Sequence, residues 1–435
     1  MQAAVLLSVL SAITSVSSLV LDVPAEAPQT NILSDHSASN DFIGSIYFMT
    51  NQPSGNFVVS ASIGADGLLT PAHAISTGGI GGVSHAMPAL ALDPLFSEGP
   101  IAVHERSGLL ATVNPGSNTI QLFAVDPKNP TVLSPIGGPA PAGGAFPTSV
   151  AFNNAGDMLC AINGAEVGCI QCYSIHPWRG LVPGDMRPLN LNQTNPPTGF
   201  ANTTTTVRFT PDDTSVIVVV KGDRDVPGHT GFLMSWPVLS VSPATLSANA
   251  VIAPAPSIGS IPFSLSYIPG RRAFLVGDGT GVDVFNYQAG LEPGQITNKS
   301  IEIPGQIATC WSAYSQTSGN YYVADNLVST VTEIHVDDQL APSIARQYVP
   351  PPGNTGTNEL AVATINGQDF LYLLLPNVTS IGVMRIDGPA NGTFVQTLDF
   401  SQPAASVNLN ITLLMAGLSI YMKDQTHLSR ALGPR

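Results

Sequence analysis

Ile101-Ala102-Val103-His104 and, after a turn, Ala111-Thr112-Val113-Asn114 form a two-part phrase: an apolar run ending in an aromatic ring, then an apolar run ending in a polar side chain. The phrase returns in Ser149-Val150-Ala151-Phe152 with Ala161-Ile162-Asn163. Its first half recurs at Thr206-Val207-Arg208-Phe209, Ser264-Leu265-Ser266-Tyr267 and Trp311-Ser312-Ala313-Tyr314, and in degraded form at Leu360-Ala361-Val362-Ala363. Successive copies lie 47 to 58 residues apart. A period of that size marks stacked or radial units, each too small to bury a core of its own.

Each repeat resolves into four apolar runs. In the third they are Ser149–Phe152, Met158–Ile162, Cys169–Ile175 and Met186–Leu191, with turn residues at Asn153–Gly156 and Trp178–Gly180. Four antiparallel strands at this spacing make one propeller blade. The aligned positions His104, Phe152, Phe209, Tyr267, Tyr314, Ala363 and Tyr421 count seven inner strands. The first repeat opens directly on its second strand, Ile46–Thr50, and the last inner strand, Leu418–Met422, has no second strand after it. The expected fold is therefore all-β: a seven-bladed β-propeller of four-stranded blades, with the first blade closed by a C-terminal inner strand. Closure matters because an open ring leaves unpaired N–H and C=O groups along two strand edges.

Composition agrees. Of 435 residues only 10% are charged, and 41 Gly and 37 Pro supply turns. A net charge of −14 without a basic cluster argues against nucleic acid as a partner. Residues 1–18 read as a secretory signal, 19–41 as a disordered leader, 42–423 as the propeller and 424–435 as a tail. No later stretch is long and apolar enough to span a membrane. The expected location is extracellular and the expected state a monomer. On successive strands around a Gly164–Gly168 turn, Cys160 and Cys172 are placed to form a disulfide; Cys310 is left to pair with Cys169 or stay free. Sequons begin at Asn192, Asn202, Asn298, Asn377, Asn391 and Asn410, which secretion would expose to glycosylation.

Chemistry in a propeller gathers at the channel mouth, where outer-strand loops enter inner strands. The longest such loop, Thr77–Gly99, carries Gly78, Gly79, Gly81 and Gly82 and reads either as a mobile lid or as a surface loop without a ligand, with His85, Asp93 and Glu98 its titratable groups. Arg208, beside Phe209 on an inner strand, and Lys221, ending a second strand, stand out as rare cations that could hold a substrate carboxylate. A plain ion pair of Lys221 with Asp223 or Asp225 is the competing reading. His85 and His104 are the candidates for proton transfer; Trp311 and Glu359 stand where inner strands begin and could line the mouth. No nucleophile elbow, P-loop or metal-ligand cluster occurs, and no cofactor is expected.

Two phrases, Ala111-Thr112-Val113-Asn114-Pro115-Gly116-Ser117-Asn118-Thr119-Ile120 and Phe146-Pro147-Thr148-Ser149-Val150-Ala151-Phe152, resemble those of lactonase-like seven-bladed propellers. That superfamily includes phosphogluconolactonase and the fungal carboxymuconate cyclase, and the chain is most similar to fungal secreted proteins labelled carboxymuconate-cyclase-like. The resemblance runs from about Gly44 to Lys423. It implies a small lactone or carboxylate substrate at the central channel. Active members tend to carry His or Arg four residues before the inner-strand aromatic; here Thr148, Thr205, Phe263, Cys310 and Glu359 stand there. Two functions follow: a secreted lactonase or carboxymuconate-cyclase-like enzyme, or a non-catalytic propeller binding a small apolar or glycan ligand or a protein.

Overall fold

The computed structural model describes residues 30–33, 42–84, 92–199, 201–255 and 258–423. Seven antiparallel sheets form a ring of blades. β-Branched runs such as Ser215–Val220 build the second strands, which are buried on both faces. In blade 3, Pro147–Phe152, Met158–Asn163, Cys169–His176 and Gly180–Pro188 follow one another from the axis outward. The inner hairpin turns at Gly156, whose φ of +74° suits only glycine without strain and where a Cβ would strike the His104 ring.

The ring closes as the sequence predicts. Ala416–Met422 lies antiparallel to Gly44–Met49 and is the inner strand of blade 1, with Ser45 opposite Tyr421 and Ile46 opposite Ile420. The closing strand buries Leu418 in the core cluster of Ile46, Phe48 and Met415. Tyr421 packs instead with Tyr47, Val58 and Ile101, tying blade 1 to blade 2.

One segment departs from expectation. Thr30–Ile32, read from sequence as part of the leader, pairs with Leu69–Ser76 and adds a fifth strand to the rim of blade 1. Its alternation is too short to register as periodicity; the partner edge decides it. The Cys160–Cys172 disulfide joins directly opposed residues of neighbouring strands. Cys169 and Cys310 are free thiols. Among the described residues no helix is long and apolar enough to cross a membrane.

Removing residues 416–435 tests closure. Burial of Leu418 and Tyr421 is worth ~1.5–3 kcal/mol each, against ~5–15 kcal/mol for a whole domain, and two sheet edges become exposed. Thermal denaturation followed by circular dichroism should show no cooperative transition for the truncated chain. A transition within a few degrees of the full chain would contradict closure.

Candidate functional site

Second strands end on one face of the ring, here called the top, where outer strands hand over to the next inner strand. The top of the axis is filled by residues 92–99. This strap enters beside blade 7, where Asn358 Nδ2 donates to Leu92 O. Ser97 Oγ donates to Thr148 O of blade 3 at 2.7 Å, and Glu98 N to Thr205 O of blade 4 at 2.9 Å. Leu265 N of blade 5 donates to Glu98 Oε2 at 3.2 Å, and Trp311 Nε1 of blade 6 to Ser97 O at 3.3 Å. Gly99, at φ +77°, turns the chain into blade 2 with Arg208 packed where a Cβ would sit. The mobile lid expected of Thr77–Gly99 is thus corrected over 92–99: the segment is a buried plug, held at the tops of the inner strands by backbone groups and by the Asn358 and Trp311 side chains. Such contacts carry no local sequence signature.

The strap brings charge into the interior. Glu98, buried, pairs with Arg208 at 3.2 Å. Burial raises the Glu98 carboxyl against the pull of Arg208. Glu359 is pushed well above the usual carboxylate range, first by burial and then by Glu98 and Asp93. Lys221 is 1% exposed. Its Nζ donates to Phe96 O at 2.5 Å and lies 4.7 Å from the Phe263 ring centre. Burial lowers the Lys221 ammonium, opposed by Asp93; burial raises the Asp93 carboxyl, opposed by Lys221 and by the N–H groups of Phe96, Ser97 and Leu95. The partner of Lys221 is therefore neither Asp223 nor Asp225.

Beside the strap, between blades 4 and 6, a pocket of about 110 Å³ opens on the top face. Phe96, Phe263, Ile261, Ile307 and Leu327 form apolar walls; Lys221, Arg224, Asp93 and Cys310 supply polar groups. Burial drives the Cys310 thiol well up, which leaves it a poor nucleophile. The wall segment 258–261 is tied down by two buried carboxyls of blade 5. Asp278 accepts from Ile261 N at 2.7 Å and Gly259 N at 3.0 Å, and Asp283 from Ile258 N at 3.2 Å. Burial, then the adjoining Asp278, raises Asp283 far above its ordinary 3.8.

Of the residues singled out from sequence, Arg208, Lys221, Trp311 and Glu359 converge around the strap. His104 lies at the opposite end of its strand. There its Nδ1 meets Ser107 Oγ at 2.5 Å and its Nε2 meets Asn154 O at 3.0 Å, so the ring caps a turn away from the pocket. His85 falls outside the described residues. Asn192, Asn377, Asn391 and Asn410 are exposed, whereas Asn202 and Asn298 are half-buried. Phe96, Arg224 and Leu327 were not foreseen; the only signal for Arg224 and Leu327 was their place just after a second strand. Among the described residues no cluster of three or more metal-ligating side chains occurs.

Comparison with solved structures agrees with this architecture. A periplasmic gluconolactonase of Pseudomonas aeruginosa superposes with a TM-score of 0.62 at 12% identity, covering 88% of this chain and 100% of its own. The fold is that of lactonase-like propellers. A functionally unknown protein of Desulfotomaculum acetoxidans gives 0.58 at 13% identity over 88% and 100%. A candidate 6-phosphogluconolactonase of Bacteroides fragilis gives 0.56 at 15% over 82% and 99%. At these identities the likeness is one of fold. No protein-family model matches the chain, and the search of curated proteins gives no match.

Asp283 sets a pH dependence. A carboxyl raised on folding stabilises fully below its unfolded value, near 3.8, and that stability is lost as pH rises through the folded value. Chemical denaturation should show stability falling from pH 5 to pH 8. Asp283→Asn, which keeps an acceptor for Ile258 N, should flatten that slope and be the more stable protein at pH 8. An unchanged slope would contradict the assignment.

Proposed function

We propose that this protein is a ligand-binding propeller of lactonase-like fold, which holds a small, largely apolar molecule bearing a negative charge in the pocket between blades 4 and 6. The observation that carries this reading is the strap. It occupies the axial mouth and ties Arg208 to Glu98. The polar ends of Lys221 and Arg224 then lie within apolar walls off the axis. Clefts of that composition are the usual form of small-molecule sites. Secretion belongs to the same proposal. The Cys160–Cys172 disulfide supports an oxidising compartment, and the four exposed sequons are the ones expected to carry glycans.

A lactonase or carboxymuconate-cyclase-like activity is the second reading. It is favoured by one observation: Lys221 and Asp93 shift toward one another inside a pocket, as acid–base pairs do.

The two separate in one experiment. The purified protein is mixed with aryl and alkyl carboxylates, muconate and aryl lactones; thermal unfolding and ultraviolet absorbance are followed from pH 5 to 8. Ligand at a hundred times its Kd stabilises by ~2.7 kcal/mol, so a carboxylate should raise the midpoint without any turnover, and Lys221→Met should abolish the rise. Turnover that Lys221→Met abolishes would replace the binding reading with the enzyme.

A further inference from the structure

Buried polar atoms normally find a hydrogen-bond partner. Among the described residues six buried side-chain oxygens do not, and of these only Asn326 Oδ1 belongs to a residue of the pocket. Asn326 is 7% exposed. It follows the second strand of blade 6, Asn320–Asp325, just as Lys221 follows the second strand of blade 4, Ser215–Val220. The two residues therefore enter the pocket from opposite walls.

The wall around Asn326 is fixed in advance. One oxygen of the buried Asp325 carboxyl group accepts from Ile307 N and Ala308 N, both at 2.7 Å. The other accepts from Leu327 N at 3.0 Å and Val328 N at 3.1 Å. Four backbone donors from two loops thus converge on one side chain, and Asn326 lies between two anchored neighbours. An acceptor held in this way loses little freedom when a ligand arrives.

We propose, resting on the pocket reading above, that the ligand is a one-ring acid carrying a hydroxyl on its apolar body, and that Asn326 selects it by accepting from that hydroxyl while the acidic group meets Lys221. The donor is what the site lacks. Phe96 O accepts one of the three Lys221 donors, and the strap N–H groups of Leu95, Phe96 and Ser97 occupy the Asp93 carboxyl. Asn326 Oδ1 is left to be matched by the ligand. A hydroxyl brings one donor on a small group. An ammonium would bring three donors and a second positive charge beside Lys221, so it suits a lone acceptor poorly. Size points to a single ring. A cavity of ~150 Å³ accepts benzene, and the ~110 Å³ here opens outward past Ile307 and Leu327, 48% and 41% exposed. A ring between the two walls reaches both polar residues. An acid without the hydroxyl shuts the Asn326 oxygen away from water without a partner, which is the basis of discrimination.

Calorimetric titration of the intact protein at neutral pH with phenylacetate, its 3- and 4-hydroxy derivatives and their methyl ethers tests this. A methyl ether keeps the oxygen and its lone pairs but has no donor. The better of the hydroxyphenylacetates should bind ~5–10-fold tighter than phenylacetate, the size of one net hydrogen bond. Its methyl ether should bind no tighter than phenylacetate. Asn326→Leu should erase the advantage of the hydroxyl and still bind phenylacetate. If hydroxylated and plain acids bind alike and Asn326→Leu changes neither, the amide holds a water only, and the proposal is refuted while the pocket stands. A methyl ether as tight as its parent phenol refutes it as well, because the amide then presents its N–H. If none of these acids binds, the pocket reading falls and the proposal with it. Should Asn326→Leu fail to fold, the order of phenol, ether and unsubstituted acid in the wild type decides by itself.

Discussion

The ladder between Ala416–Met422 and Gly44–Met49 is the contact on which the rest of this molecule depends. It joins the two ends of the propeller, removes both free sheet edges, and fixes seven inner strands around one axis. Only a closed ring presents the inner-strand tops of blades 3 to 7 to a single short segment. The strap, the buried charges and the pocket are consequences of that geometry.

The strap answers a satisfaction problem. Thr148 O, Thr205 O and Val150 N stand at the channel mouth and need partners. Backbone and side-chain groups of Ser97, Glu98 and Gly99 supply them. The cost is a set of carboxyls in a poorly hydrated interior: Glu98, Glu359 and Asp93, all displaced upward by burial. Arg208 compensates Glu98, and Lys221 acts on Asp93 from within the pocket wall. The axis is thereby closed to ligands from above, and the accessible space moves to the gap between blades 4 and 6.

Much of this architecture was legible in the sequence, because it rests on repetition. Seven aligned inner-strand positions, six of them aromatic, together with alternating runs and two unmatched strands at the chain ends, specify the number of blades and their closure. The Cys160–Cys172 disulfide was legible for the same reason, since directly opposed residues on neighbouring strands follow from the turn length. The site was half legible. Arg208, Lys221, Trp311 and Glu359 drew attention as rare or misplaced residues, and they do meet. What brings them together is a loop whose glycines resemble those of a mobile segment. Gly79 and Gly81 are there for close packing against Asn114 and Asn51, which only tertiary structure reveals. Thr30–Ile32 escaped notice because three residues carry no measurable period. His104 drew attention as an ionisable side chain in an aromatic slot, yet its surroundings make it a turn cap.

A site off the axis, beside an occupied channel, is what separates this account from one built on fold likeness alone. A crystal structure of the protein with phenylacetate decides between them most directly. The ligand is expected against Lys221, Phe263 and Leu327, with residues 92–99 still hydrogen-bonded to Thr148 and Thr205. A ligand on the axis beside Arg208, with the strap displaced, would contradict the account.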